Sequence, residues 1–252
     1  MLSFLRRKSA PAPSVAGPPG SRAYAVGDVH GRLDLLDALL EKIEADAAAR
    51  SEARTFIVFL GDLVDRGPDS RGVVERLSTY RPEFAKPVFL AGNHEEFFLD
   101  VLDGDVDGVG NWLTYGGRET AASYGISEGW LLNASPQAIV SELYRRVPEA
   151  HREFVRGFGD SFRFGDYLFV HAGIRPGVAL EDQSRRDMRW IREAFLDDRS
   201  DHGVVVVHGH TIVDQVEERH NRIGIDTGAY GSGVLTALAI EGTQRWILAT
   251  RP

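Results

Sequence analysis

Three times in its first hundred residues the chain passes from an apolar run to a polar loop and then to a helical spacing. Residues 22–27 (RAYAVG) read as a strand. Residues 33–50 carry apolar side chains three and four apart, as an amphipathic helix does. Residues 55–60 (TFIVFL) are apolar throughout, as in a strand buried on both faces. A helix over about 70–80 follows. Residues 86–91 (KPVFLA) predict a third strand, and the next helix runs to about residue 103. Polar loops at strand C-terminal ends are where open sheets bind ligands.

No strand pattern occurs from about residue 103 to 159, and this stretch is expected to be a helical insert. Its helices are predicted at roughly 117–124, 135–147 and 149–156, the second opened by Ser135 before Pro136. Strand character returns in SFRFG and YLFVHAG, a hairpin turning at Gly165 and Asp166. MRWIREAFL (188–196) predicts a short helix and GVVVVHGH (203–210) a buried strand. QVEER, RIGIDTG, GVLTALAI and QRWILAT complete the chain as strands joined by turns. The order predicts an α/β chain of two packed sheets with helices outside.

Composition narrows the function. The 252 residues fit one large domain or two small ones, and 43% hydrophobic with 26% charged is an ordinary globular balance. There is no cysteine, which excludes disulfides, thiolate zinc sites, iron–sulfur clusters and a cysteine nucleophile, and fits a cytoplasmic location. A net charge of −8 argues against stable nucleic-acid binding. The first 21 residues, basic and then rich in Pro, Gly, Ser and Ala, predict a disordered arm before one domain at 22–252. That basic arm could touch an anionic membrane surface weakly. Its apolar core is too short for a signal peptide, and no stretch is long and apolar enough to span a bilayer. No pattern specifies an oligomeric state.

Five sites share one grammar, an apolar run and then a polar cluster. They are GDVHG (27–31), GDLVDRG (61–67), GNHEE (92–96), VHAG (170–173) and VHGHT (207–211). They supply Asp28, His30, Asp62, Asn93, His171, His208 and His210, a mixture of oxygen and imidazole donors that suits Mn, Fe, Co or Zn. Seven donors are too many for one ion and right for two sharing a bridge. Asp28 and His30, two apart on extended chain, can chelate one ion; His208 and His210 can reach one ion each. Asp62 is the natural bridge. Each segment alone has a plainer reading. Asn93 can open a helix with Glu96 three residues on, and Glu95 and Glu96 suit a helix N-terminus.

GDVHG, GDLVDRG and GNHEE resemble, in order and spacing, the signature blocks of calcineurin-like metallophosphoesterases of the phosphoprotein phosphatase branch. VHAG and VHGHT are similar to that family's remaining metal histidines, and IDTGAYGSG to a segment that follows them in the small bacterial and phage forms. The resemblance covers about residues 23–230. It implies a two-sheet β-sandwich core with flanking helices. It implies two divalent ions, Mn first, with Fe, Zn or Co as options. Asp28, His30, Asp62 and His210 would hold the first ion, and Asp62, Asn93, His171 and His208 the second. His94 would be the general acid, oriented by Asp65. Arg66 would grip phosphate beside Asn93, with a further arginine taken as Arg192, ahead of Arg189 and Arg175.

The chemistry explains the residue types. Two ions about 3.5–4 Å apart clamp the phosphoryl oxygens and acidify a bridging water. The departing alkoxide needs a proton, which a histidine held by a carboxylate supplies. An arginine fork neutralises charge spreading over the phosphoryl group. The expected substrate is phosphoserine or phosphothreonine in proteins. A dinucleoside tetraphosphate or a capped RNA end is the alternative for the same centre. A catalytically dead binding module is disfavoured, because no position of the three blocks is missing. DGDVDG (103–108) resembles half of a calcium loop but has Thr114 where a bidentate Glu belongs, so it reads as an exposed acidic loop. NWLTYGG (111–117) reads as an active-site rim, and His151, His202 and His220 as surface residues.

Overall fold

The computed structural model describes residues 15–250. Two five-stranded sheets face one another. The first runs in the order β10 (Gln244–Ala249), β9 (Thr236–Glu241), β1 (Ser21–Val26), β2 (Arg54–Phe59) and β3 (Ala85–Phe89). Strands β1, β2 and β3 are parallel, and β9 and β10 are antiparallel to their neighbours. The second runs β4 (Ser161–Phe164), β5 (Tyr167–Val170), β6 (Val205–His208), β8 (Arg222–Gly224) and β7 (Glu217–Glu218). Here β5, β6 and β8 are parallel.

Side-chain alternation assigns each strand residue to a layer. Tyr24 and Val26 of β1, with Ile57 and Phe59 of β2, face helix α1 (Leu33–Ala48) and its Leu36, Leu39, Leu40 and Ile43. Ala23, Ala25, Phe56 and Val58 point the other way, onto Phe164, Phe169, Val205 and Val207 of the second sheet. Small residues on β1 opposite large aromatics keep the two sheets at packing distance. Leu168, Val170 and Val206 face outward, onto Met188, Ile191 and Phe195 of α9 (Arg185–Trp190) and α10 (Glu193–Leu196).

Helix α2 (Ser70–Ser78) and helix α3 (Asn93–Leu102) complete the β-loop-α units predicted from the spacing. The region 103–159 contains no strand. It holds α4 (Val109–Trp112), a π-helical turn (Leu113–Gly117), α5 (Arg118–Ser123), α6 (Glu128–Leu131), α7 (Pro136–Arg146) and α8 (Glu149–Arg156). Trp112, Tyr124, Leu143 and Val155 from this insert share a core with Val64, Val74 and Phe98 of the sandwich side. The Ser135 hydroxyl accepts the Ala138 N–H, so α7 starts where its cap and proline direct. A last short helix, α11 (Ala229–Ser232), lies in a segment read as loop.

Four expectations change. Residues 1–14 of the expected arm lie outside the described residues, but 15–20 are docked: Ala16 N–H donates to the Asp166 carboxylate (2.9 Å) and Gly17 N–H to Gly242 O (2.8 Å). The helix expected over 188–196 is broken by Arg192 (φ −130°, ψ −107°), although its apolar spacing reads straight through. The strand expected over 215–219 shrinks to two residues. His151 is buried, bonded through Nδ1 to the Tyr124 hydroxyl (2.9 Å) and through Nε2 to Glu75 (2.8 Å). No helix among the described residues is long and apolar enough to cross a membrane.

Leu39 has no exposed surface and sits centrally in the α1 layer. Leu39→Ala is expected to cost about 2–5 kcal/mol in equilibrium urea unfolding. Glu41→Ala, exposed on the same helix, is expected to stay within about 0.5 kcal/mol.

Candidate metal centre

The polar clusters converge at the C-terminal ends of β1, β2, β3, β5 and β6, so both sheets contribute. Asp28, His30, Asp62, Asn93, His94, His171, His208 and His210 are all buried. The backbone there is unusual. The non-glycine residues with positive φ are His30 (44°), Asp62 (50°), Asp65 (71°), Arg66 (68°) and His210 (64°). Such conformations are costly and persist only where surroundings over-determine them. Glycine supplies the close approaches: a Cβ on Gly92 would lie 2.1 Å from Asp62 Oδ1, and one on Gly209 2.0 Å from Asp28 Oδ1.

Hydrogen bonds decide which imidazole nitrogen is free. Nδ1 of His30 meets the Val64 carbonyl at 2.8 Å and Nδ1 of His171 the Leu60 carbonyl at 2.9 Å. A carbonyl only accepts, so both Nδ1 atoms carry hydrogen and both Nε2 atoms face inward. Burial keeps the His30 ring neutral, whereas against the effect of burial Asp62 raises His171. Both rings face Asp62, at 3.5 Å from His30 Nε2 and 3.4 Å from His171 Nε2. Asn93 Oδ1 lies 3.0 Å from His171 Nε2, and the Nε2 atoms of His208 and His210 are both buried without a partner. Two groupings have ligand atoms close enough to share an ion, His30 with Asp62 and His94, and Asp62 with His171 and His210. Burial lowers His30 to about 3 and His210 to about 2, keeping both neutral as ligands must be. Burial also pushes Asp28 well above the carboxylate range, with Asp226 and Asp62 adding repulsion. Crowded buried carboxylates facing imidazole nitrogens are a donor set that fits divalent cations.

His94 differs from the other rings. Its Nδ1 donates to Asp65 Oδ2 at 2.8 Å, and its Nε2 is 3.9 Å from Asp62 Oδ2. Burial opposes its charge, yet Asp62 and Asp65 raise it above the ordinary imidazole value. A ring held protonated suits proton donation better than ligation. Arg66 places Nη1 3.0 Å from His30 Nε2 and lies under the half-exposed Tyr230 ring, 5.0 Å to its centroid.

Four expected site residues move. His208 joins neither grouping, nor does Asp28, whose carboxylate accepts the His210 N–H at 3.1 Å. His208 is the last residue of β6, so alternation turns it from Val207 to the outer face, where its ring meets Phe195 edge-on at 5.3 Å. His210 lies past the strand and turns inward beside Asp62 and His171, in the second set rather than the first. Arg175 is paired with Asp187 (2.9 Å), and Arg189 with Glu96 (2.9 Å) and Asp160 (2.6 Å). Arg192 reaches Thr211 Oγ1 at 3.4 Å and its charge acts on His210, so it lies at the centre's mouth.

Sequence reasoning missed several residues. Glu95 is fully buried and accepts N–H groups from Asp62 (2.8 Å), Leu63 (2.7 Å) and Gly92 (2.8 Å). Glu95 thus accepts the N–H of the N-cap residue Gly92, so α3 opens one residue earlier than expected, with no N-cap side chain to complete a reciprocal box. Trp112 and Thr120 bond the Asp65 carboxylate, and Asp226 faces Asp28; only a fold reveals these contacts.

The chain matches the family model for calcineurin-like phosphoesterases over residues 21–231. It belongs to the calcineurin-like phosphoesterase family. Like other members it is a metal-dependent phosphoric ester hydrolase. It is 27% identical to an asymmetrical bis(5'-nucleosyl)-tetraphosphatase of Halalkalibacterium halodurans, covering 84% of this chain and 87% of the relative. It is 29% identical to serine/threonine-protein phosphatase 1 of Salmonella typhimurium, covering 86% and 91%. A crystal structure of a proposed diadenosine tetraphosphatase superposes with a TM-score of 0.61 at 20% identity, covering 94% of this phosphoesterase and 98% of that chain.

The outward-facing His208 has a measurable signature. Burial lowers it to about 4, against about 6.5 unfolded. The unfolded chain therefore binds more protons between these values, and the stability His208 confers is full above about 6.5 and lost as pH falls toward 4. His208→Phe is expected to flatten this acid limb in urea unfolding at pH 7 to 4.5, and to keep wild-type metal content and hydrolysis.

Proposed function

We propose that this phosphoesterase hydrolyses phosphomonoesters with poor leaving groups, phosphoserine and phosphothreonine in proteins, through two divalent ions and a histidine acid. In this reading Asp28, His30 and Asp62 hold one ion, and Asp62, Asn93, His171 and His210 the other, with Mn²⁺ the expected resident. His208 leaves the set. The ions supply positive charge against the phosphoryl oxygens and activate water for attack. Arg66 and Arg192 hold the phosphate from its open side and neutralise charge as it spreads. Asn93 also donates its amide N–H₂ toward a phosphoryl oxygen, as its side-chain oxygen turns to the metals.

The observation that carries the substrate class is the His94–Asp65 pair, Nδ1 to Oδ2 at 2.8 Å and buried. A serine alkoxide cannot leave without a proton, so a buried, held acid serves an alkyl ester. A phosphoanhydride releases a stable phosphate anion and gains less from it. The second reading is a dinucleoside tetraphosphate, supported by relatives so named and by exposed Tyr115 and Tyr230 near Arg66, which a base could stack upon. Among the described residues, the acidic loop gathers no cluster fit for an ion, and Asp103 pairs with Arg156 instead.

With Mn²⁺ added, His94→Asn is expected to keep its metal by elemental analysis. It should lose about 10²–10³-fold in kcat on a phosphoserine peptide and much less on p-nitrophenyl phosphate. Asn93→Ala is expected to lose both metal affinity and rate. A side-by-side assay of phosphopeptide and diadenosine tetraphosphate decides the substrate: a higher kcat/KM on the dinucleotide rejects the protein-phosphatase reading.

A further inference from the structure

Asp65 and Arg66 are consecutive, neither is glycine, and both are left-handed. What holds them there comes largely from one stretch of the helical insert. The Trp112 indole N–H donates to Asp65 Oδ1 at 3.2 Å. The Thr120 hydroxyl donates to the same oxygen at 2.6 Å and lies 2.9 Å from the Asp65 N–H, as an acceptor. Ser70 of α2 takes that N–H as well, at 2.9 Å. Between Trp112 and Thr120, the Gly116 carbonyl accepts the Arg66 N–H at 3.1 Å. Gly116 has φ 115° inside the π-helical turn, which pushes it onto Arg66 so closely that a Cβ would lie 2.5 Å from Arg66 N. Single π-helical turns of this kind concentrate at functional sites.

Trp112 and Thr120 have no exposed surface, so neither touches substrate. A buried helical threonine ordinarily turns its hydroxyl to a carbonyl in its own previous turn. Thr120 instead spends it on a carboxylate 55 residues away in sequence. With Oδ1 of Asp65 held by two donors, only Oδ2 is left to face His94. Asp65 then cannot rotate, and His94 has one aim.

We propose that residues 112–120 of the insert are a clamp that positions the acid and the phosphate arginine together, with Trp112 and Thr120 as positioning residues for His94. The inference rests on His94 being the acid, as proposed above. In the step concerned, a lone pair of the attacking water oxygen forms the new bond to phosphorus while the bond from phosphorus to the leaving oxygen breaks and its electron pair goes to that oxygen. The His94 Nε2 proton moves onto it, leaving a neutral ring whose Nδ1–H remains on Asp65. The power to expel a poor leaving group thus belongs to the insert as much as to the sandwich.

The test uses the full chain loaded with Mn²⁺ and the variants Thr120→Val, Thr120→Ser, Trp112→Phe and His94→Asn. The readout is the ratio of kcat on p-nitrophenyl phosphate to kcat on a phosphoserine peptide. Thr120→Val is expected to raise it about tenfold, a part of the full general-acid effect, with KM and metal content at wild-type values. Thr120→Ser is expected to restore it, and Trp112→Phe to raise it less. An unchanged ratio in soluble Thr120→Val overturns the proposal, whether overall activity falls or not. If that variant does not fold, an unchanged ratio in Trp112→Phe overturns it and a raised one supports it. His94→Asn separates the two layers: if it does not raise the ratio, the acid assignment itself fails.

Discussion

One buried carboxylate holds the two halves of the metal-side loops in register. Glu95 gathers three backbone N–H groups, two from the loop after β2 and one from the loop after β3. Burial and the nearby Asp62 charge push its pKa up, and the amide from Gly92 pulls against them. The three bonds are charge-assisted and dry, so each is stronger than its neutral equivalent. They fix Asp62 in its left-handed conformation and bring Gly92 against it, which leaves room for the shared carboxylate and for nothing larger. The positions of Asn93 and His94 follow from that contact, because they begin the helix that Glu95 itself belongs to.

Much of the fold was readable because periodicity and punctuation agreed. The three β-loop-α units, the Ser135 cap and the hairpin at Gly165 all sit where apolar spacing and turn residues place them. The family resemblance rested on the same loops; Asp28, His30, Asp62 and Asn93 follow parallel strands that end on one edge of the first sheet, and His171 comes from the second. Other features are invisible to local pattern. Arg192 breaks a helix whose apolar spacing is intact, since packing of Ile191 and Phe195 on the second sheet outweighs propensity. Trp112, Thr120 and Asp226 act through partners distant in sequence. His208 was a different kind of miss. The period of two that identified β6 also says that His208 faces away from Val207, but the H-x-H spacing suggested a shared role and hid it.

The centre concentrates charge that its own protein atoms do not neutralise. Asp28, Asp62 and Asp226 are buried near one another, with imidazole rings turned toward Asp62. The His171, His94 and His30 rings hold Asp62 well below the carboxylate range against the effect of burial, while Asp28 is driven the opposite way. Such a site is poised rather than satisfied. A bound cation would return Asp28 to its ionised form, so metal binding and folding stability would be thermodynamically linked.

Strand β1 lies between β2, made soon after it, and β9, made near the end of the chain. His171 and His210 also arrive late, on the second sheet. During synthesis the early half of the chain can therefore assemble three parallel strands and three of the donor loops, while the open side of β1 waits for a partner more than 200 residues away. The enzyme cannot acquire a complete metal-binding set before its second sheet has docked. Activity, in this reading, reports that the second sheet has been made and docked on the first.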